Sequence, residues 1–291
     1  MVDFVAGEIT SRKNDVVKYA SSLLSSKGRK KEKAYRFDGV KLFAEAYFCG
    51  VKIDTVLLRS ETAEHVLSEM DRRCAGWRDD LSARVILIKD SAFETISDEN
   101  APEGIICIAK SLDKCEKSDI IIRRENFAHK KAYNNMRKRI MAAESLRDPG
   151  NLGTVIRTCL AMGVDELWIS SDCADVLSSK VLRSSMGAVF ALNIRITDDL
   201  PSALTELKRD GYRILATALY GESVALSKAQ LTDRDVFVIG NEGHGLSSEM
   251  LKASDVCVYI DMYSGPGCES LNAAIAAAVC AWEQKRQIEC K

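Results

Sequence analysis

The chain has 291 residues, a formal net charge of −1, 46% hydrophobic and 29% charged residues, which is the composition of a globular protein long enough for two ordinary domains. No apolar run approaches the ~20 residues needed to cross a bilayer, and the first fourteen residues lack an apolar core behind a basic cluster, so neither a membrane span nor a secretory leader is expected. The ten cysteines form no C-x-x-C pair and the three histidines (His65, His129, His244) do not cluster with them. No metal site or disulfide framework is therefore expected, and a cytoplasmic location is.

Residues 15–26 predict a helix, with Val16, Val17, Ala20, Leu23 and Leu24 on one face. Residues 25–31 form a polar breaker. A short strand at 37–40 and a helix at 41–48, closed by Gly50, come next. Residues 51–58, 83–88 and 104–109 are strand-like, with a helix at 61–74. Strands separated by helices predict a compact α/β sandwich over 1–110. From 111 to 138 the apolar signal fades and charge rises, which marks a linker. Within 139–291 the order is a strand at 139–146, a turn at 148–151, a helix at 152–162 and a strand at 166–170. A helix at 201–209 and strands at 214–219, 236–240 and 256–260 follow, then an alanine-rich helix at 271–285. That alternation predicts a parallel sheet covered by helices.

Charge is unevenly spread. Residues 12–36 hold nine Lys/Arg against two acids, and 123–147 hold eight against two. Basic patches of this kind bind phosphates by releasing counterions, although a charge run can also be a solvated face.

Three clusters fall where strands end, the edge at which α/β sheets gather ligands. In Asp148-Pro149-Gly150-Asn151-Leu152-Gly153-Thr154-Val155-Ile156-Arg157, the glycines allow a tight turn and Asn151 can cap the next helix. Arg157 could grip phosphate oxygens in two places; read alone, the same residues describe a capped helix with a surface arginine. In the second cluster an apolar strand, 236–239, runs into Gly240-Asn241-Glu242-Gly243-His244-Gly245. The spacing is neither the dinucleotide fingerprint nor a P-loop. It permits close backbone approach to a flat ligand, with Glu242 facing the ligand or a substrate hydroxyl, or else it is simply a turn. The third cluster is Ile260-Asp261-Met262, then, beyond a Gly-Pro-Gly loop, Ser270-Leu271-Asn272 and a run of small residues suited to close packing.

Taken in order, Asn151-x-Gly153-x-x-x-Arg157, Gly240-Asn241-Glu242-Gly243 and Ser270-Leu271-Asn272 closely resemble the three motifs of the SpoU family in the SPOUT class. Residues 180–188 resemble that family's middle segment, and the likeness covers about 139–286. Lys27-Gly28-Arg29 with Phe37-Asp38-Gly39-Val40-Lys41 and Glu45-Ala46 is similar to an L30e-like substrate-binding domain. The resemblance implies an α/β trefoil-knot (SPOUT) domain with a parallel sheet at 139–291, preceded by a smaller L30e-like α/β sandwich at 1–110. It also implies a homodimer formed through the C-terminal domain, S-adenosyl-L-methionine as cofactor, and methyl transfer to a ribose 2′-hydroxyl of RNA.

On this sequence the implied catalytic residues are Arg157, Asn151, Glu242, Ser270 and Asn272. Gly240, Ile260 and Leu271 hold the cofactor through backbone groups, while Thr217, Gly243 and Met262 line its pocket. A guanidinium donates and does not accept, so gripping phosphate and stabilising the developing alkoxide is the easier role for Arg157. Glu242 or an RNA phosphate is left to take the proton. Asp261 stands where the family usually has proline, and Asp38 where the N-terminal domain usually has glutamate. The RNA contacts are expected at Arg29, Lys30, Lys31 and Lys33 of the basic loop 27–33, and at Arg157. Ribosomal RNA, 23S in particular, is expected over tRNA because L30e-like domains resemble ribosomal RNA binders, an argument by analogy. Two other readings are a non-catalytic RNA-binding or ribosome-assembly protein on the same fold, and a dehydrogenase-like enzyme, which lacks its fingerprint here.

Overall fold

The computed structural model describes residues 5–98, 102–110, 120–121, 138–263 and 270–289. Most of the expected linker, the part of the second basic patch before Lys138, and the Gly-Pro-Gly loop lie outside them. In chain order the elements are β1 (Val5–Ile9), α1 (Asp15–Ser22), α2 (Ser26–Glu32), β2 (Ala34–Asp38), α3 (Val40–Phe48), β3 (Ile53–Arg59), α4 (Ala63–Arg73), α5 (Trp77–Asp80), β4 (Arg84–Ile88), α6 (Asp90–Phe93) and β5 (Ile105–Lys110). There follow β6 (Ile120–Ile121), β7 (Ile140–Ala143), α7 (Pro149–Ala161), β8 (Glu166–Ser170), α8 (Ser179–Ser184), β9 (Asn193–Thr197), α9 (Leu200–Leu207) and β10 (Arg213–Thr217). The chain continues through β11 (Val224–Ala225), β12 (Asp235–Ile239), α10 (Ser248–Ala253), β13 (Val256–Tyr259) and α11 (Ala273–Glu289). No described helix is long and apolar enough to cross a membrane.

Two compact units result, one of Met1–Asp113 with Asp175–Phe190 and one of Lys114–Ala174 with Ala191–Lys291. The first is built on a five-stranded sheet in the order β1-β4-β3-β5-β2. Val17, Leu23, Leu57, Ile88, Phe93 and Ile106 belong to its core. Inside the unit lies an ion pair: Arg36, only 1% exposed, donates to both Asp38 carboxylate oxygens at 2.8 and 2.7 Å. Burial pushes the Asp38 carboxyl up, and the neighbouring Arg36 guanidinium only partly reverses that.

The polar stretch 25–31 is a helix and not a breaker. Ser25 Oγ accepts from Gly28 N at 3.0 Å, an N-cap that satisfies the first turn. Gly28 packs so closely that a Cβ there would lie 1.9 Å from the Ser22 carbonyl oxygen. Residues 180–188, read from sequence inside the second domain, belong to the first unit. Arg29 Nη2 pairs with Asp175 at 2.6 Å, and Arg183 pairs with Asp98 at 3.2 Å. The Phe190 ring lies 5.3 Å from that of Phe37. Side-chain contacts of this range leave no mark on local periodicity.

The second unit holds an eight-stranded sheet, β11-β13-β10-β12-β7-β8-β9-β6, in which only β6–β9 is antiparallel. Ile140, Leu204, Ile214, Val236, Val238 and Met250 lie in its core. Residues 148–151 are the first turn of α7 and not a separate turn. Asp148 is the cap, accepting from Asn151 N at 2.8 Å, and Pro149 opens the helix where its missing N–H is not needed. The loop after β13, which the resemblance assigns to the knot, includes 264–269, outside the described residues.

Because removing one member of a buried pair strands the other charge, Asp38→Ala is expected to lower the unfolding free energy by roughly 3–5 kcal/mol. Lys18→Ala, which breaks the exposed pair with Asp15, should shift it by less than about 1 kcal/mol. Urea titration of both variants checks the contrast.

Candidate functional site

All the strands from β13 to β9 run parallel, so their carboxyl ends share one edge. Residue pairing brings Ala143, the last residue of β7, beside Ile239, the last residue of β12. The segments leaving these two strands therefore begin side by side. Glu144 N continues the ladder by donating to the Ile239 carbonyl at 2.9 Å.

The loop after β12 is narrow. Asn241 and Gly245 exchange two backbone hydrogen bonds of 3.0 Å. A Cβ on Gly240 would lie 2.6 Å from the Gly245 carbonyl carbon, so only glycine fits there. Asn241 organises the turn with both ends of its amide. Its Oδ1 accepts from Gly243 N and His244 N at 2.9 and 3.1 Å, while its Nδ2 donates to the Ser145 carbonyl at 2.7 Å. The far end of the loop is held by buried Glu144, which accepts from Ser247 N and Ser247 Oγ, both at 2.7 Å. Ser247 in turn caps α10 by accepting from Met250 N. Ser145 itself, at φ 55°, donates through its hydroxyl to Asp172 at 2.6 Å. Burial raises the Asp172 carboxyl, but the Ser145 and Ser170 hydroxyls and Arg147 outweigh it and hold it below the ordinary 3.8.

Three of the sequence-predicted catalytic residues meet. Asn151 Nδ2, on the first turn of α7, donates to Glu242 Oε1 at 2.7 Å. Asn272 Nδ2 donates to Asn151 Oδ1 at 2.9 Å, and Asn272 Oδ1 accepts from Ala274 N and Ile275 N at the start of α11. Arg157 is not part of this chain. It lies six residues beyond Asn151 on α7, about 9 Å along the helix axis, exposed and without a hydrogen bond or ion pair among the described residues. Ser270 is exposed two residues before Asn272.

The candidate cofactor residues sit on the same edge. Thr217 ends β10 and donates through Oγ1 to the Val238 carbonyl at 2.7 Å. Ile260 and Leu271 are half-buried, and Gly243 and Met262 are exposed. Asp261, in the proline position, accepts from Ser227 Oγ at 2.6 Å. Among the described residues, no group of three or more His, Cys, Asp or Glu side chains could hold a metal ion. A polar concavity lined by Gly211, Arg213, Thr232, Arg234 and Asp235 lies at the opposite, amino-terminal edge of the sheet, away from this cluster.

Of the expected RNA contacts, Arg29 is corrected. It is 7% exposed, and its guanidinium is committed to Asp175 and to the Leu23 and Leu24 carbonyls at 2.8 Å. Lys30, Lys31 and Lys33 are exposed. Asn241 stands in the second motif without an assigned role, and Glu144, Ser145 and Ser247 lie outside all three clusters. An asparagine before two spaced glycines is a readable turn signal. Glu144 offers none, because its partner is 103 positions away.

Comparison with known proteins gives matches along both units. The family description "SpoU rRNA Methylase family" matches residues 138–282, and an MRM3-like substrate binding domain matches 14–107. The 23S rRNA (guanosine(2553)-2′-O)-methyltransferase RlmP of Bacillus subtilis is 27% identical, over 94% of this chain and 96% of its own length. The AdoMet-bound rRNA methyltransferase of Sinorhizobium meliloti superposes with a TM-score of 0.74 at 25% identity, covering 96% of this chain and 97% of that one. The SpoU methyltransferase AviRb of Streptomyces viridochromogenes, in complex with AdoMet, shares the fold with a TM-score of 0.72 at 22% identity, over 94% and 98% of the two chains.

The tight loop makes a prediction about two neighbouring glycines. Gly240→Ala drives a Cβ into the Gly245 backbone and is expected to destabilise the protein by about 1–3 kcal/mol. Gly243→Ala, whose Cβ would lie at an ordinary 3.6 Å from Asn241 Oδ1, should have less effect. Thermal unfolding of the pair separates them.

Proposed function

The chain belongs to the SpoU rRNA methylase family, as an enzyme that carries a methyl group from S-adenosyl-L-methionine to a ribose 2′-hydroxyl of RNA, and we propose that its substrate is 23S ribosomal RNA. The observation that carries the reading of the site is the hydrogen-bonded chain Glu242–Asn151–Asn272. It joins three separate motifs at one edge of the sheet. The likeness to RlmP along nearly the whole of both chains favours ribosomal RNA as substrate.

The residues present fit the cofactor. Half-buried Gly240, Ile260 and Leu271 and exposed Met262 offer backbone groups and apolar surface to a flat adenine and a sulfonium-bearing methionine tail. Gly240, Ile260 and Leu271 would hold it by backbone groups, with Thr217, Gly243 and Met262 around it. When bound, it supplies an electrophilic methyl. The task of the protein is to hold the hydroxyl in line, receive its proton and exclude water. Arg157, exposed and without a carboxylate partner among the described residues, grips the RNA phosphate and stabilises the developing alkoxide. Ser270 orients the substrate beside Asn272. Lys30, Lys31 and Lys33 contact RNA phosphates from the first unit, and the protein acts in the cytoplasm.

The partner is a second copy of the chain. Ile275 and Trp282, seven residues apart on α11, are both more than half exposed on one face of the helix. A pair of such residues on a small-residue helix suits helix-to-helix contact.

Labelled methyl from S-adenosyl-L-methionine should appear in ribosomal RNA as a nuclease-resistant 2′-O-methyl linkage. Arg157→Ala should lower that rate by roughly 10²–10³-fold; label in tRNA alone would refute the substrate assignment. In size-exclusion chromatography with light scattering, wild type is expected as a dimer and Trp282→Glu as a monomer. A monomeric wild type would end the dimer reading.

A further inference from the structure

The hydrogen-bond chain at the site has a direction set by the helix it starts from. Backbone N–H groups only donate, so Ala274 N and Ile275 N at the start of α11 require an acceptor, and they meet Asn272 Oδ1 at 2.9 and 3.3 Å. Asn272 therefore presents its other end, Nδ2, to Asn151 Oδ1. Asn151 in turn can offer Glu242 only its own Nδ2, which stands 2.7 Å from Oε1. Each amide orientation follows from the one before, and the last link presents the Glu242 carboxyl with a donor. Oε1 is thereby engaged. Oε2 has no partner among the described residues, and the side chain is exposed.

We propose that Glu242 Oε2 receives the proton of the attacking 2′-hydroxyl, with Asn151 and Asn272 as positioning residues that keep the carboxyl turned to accept it. This deepens the methyl-transfer reading above and rests on it. In the step, the oxygen–carbon bond forms as the carbon–sulfur bond breaks, with its electron pair staying on sulfur. The proton passes from the 2′-oxygen to Oε2 and from there to the solvent that reaches this exposed side chain. Arg157 cannot take it, having donors and no acceptor. The rival within the loop is His244, two residues on and exposed.

The test is single-turnover methyl transfer to ribosomal RNA, with S-adenosyl-L-methionine binding measured separately by calorimetry. Glu242→Gln keeps the acceptor that Asn151 needs and removes the base. Its rate should fall about 10²–10⁴-fold, with cofactor affinity within about threefold of wild type. Asn272→Asp keeps the cap on α11 but cannot donate to Asn151, and should slow transfer by about tenfold, one hydrogen bond's worth, again without weakening cofactor binding. His244→Asn should stay within about threefold of the wild-type rate if this route, of general acid–base type, is correct.

A second readout needs neither cofactor nor RNA. The side-chain amide resonance of Asn151 should move as acid is added to wild type and stay still in Glu242→Gln. Glu242→Gln transferring at close to the wild-type rate, His244→Asn losing as much rate as Glu242→Gln, or a stationary Asn151 amide in wild type would each overturn the proposal. Absence of transfer by wild type to any ribosomal RNA would instead strike the substrate reading, and the amide resonance would still test the Asn151–Glu242 link on which the proton route depends.

Discussion

The parallel ladder between β7 and β12 is the contact on which the site hangs. Pairing of Ala143 with Ile239 means that the chain leaves two adjacent strands at the same height and in the same direction. Asn151 and Glu242, 91 positions apart, meet for that reason. An antiparallel partner at β12 would send its loop to the other edge of the sheet. The β10 and β13 neighbours add Thr217 and the 260–262 segment to the same edge, so candidate cofactor and catalytic residues share one rim although the segments that carry them are far apart in sequence.

A rim of loops is only useful if the loops are stiff, and here stiffness comes from polar groups used at both ends. The Asn241 amide accepts inside its own loop and donates across to Ser145, and the Glu144 carboxylate ties down Ser247 at the loop's exit. Residues 144 and 145 thus clamp both ends of the segment that carries Glu242. Paired polar groups of this type, buried at Glu144 and half-buried at Asn241, favour a single arrangement, because alternatives would leave the Glu144 carboxylate unsatisfied away from water.

In the first unit, basic residues play two different parts. Arg29 and Arg36 are buried and bound to Asp175 and Asp38, so a positive stretch of sequence overstates the positive surface. The lysines around them, Lys30, Lys31 and Lys33, remain exposed. Arginine suits the interior role because its planar fork matches a carboxylate in two places, whereas a lysine head is more strongly hydrated.

By itself the sequence determined the alternation of strands and helices, the parallel character of the second sheet and the three strand-end motifs, because these are properties of neighbouring residues: apolar period, glycine freedom and loop chemistry. Element ends were less legible. Asp148 rather than Asn151 caps α7, and Ser25 turns a polar stretch into α2, since a cap competes with a turn on the strength of one side-chain hydrogen bond. Only the tertiary structure decided that Asn151 lies between Glu242 and Asn272, that Arg157 stands apart from them, and that Glu144 and Asn241 hold the loop. It alone placed 175–190 with the N-terminal residues and buried Arg29. These contacts join positions that sequence distance keeps apart, and a hydrogen bond across 91 or 146 residues leaves no trace in local pattern.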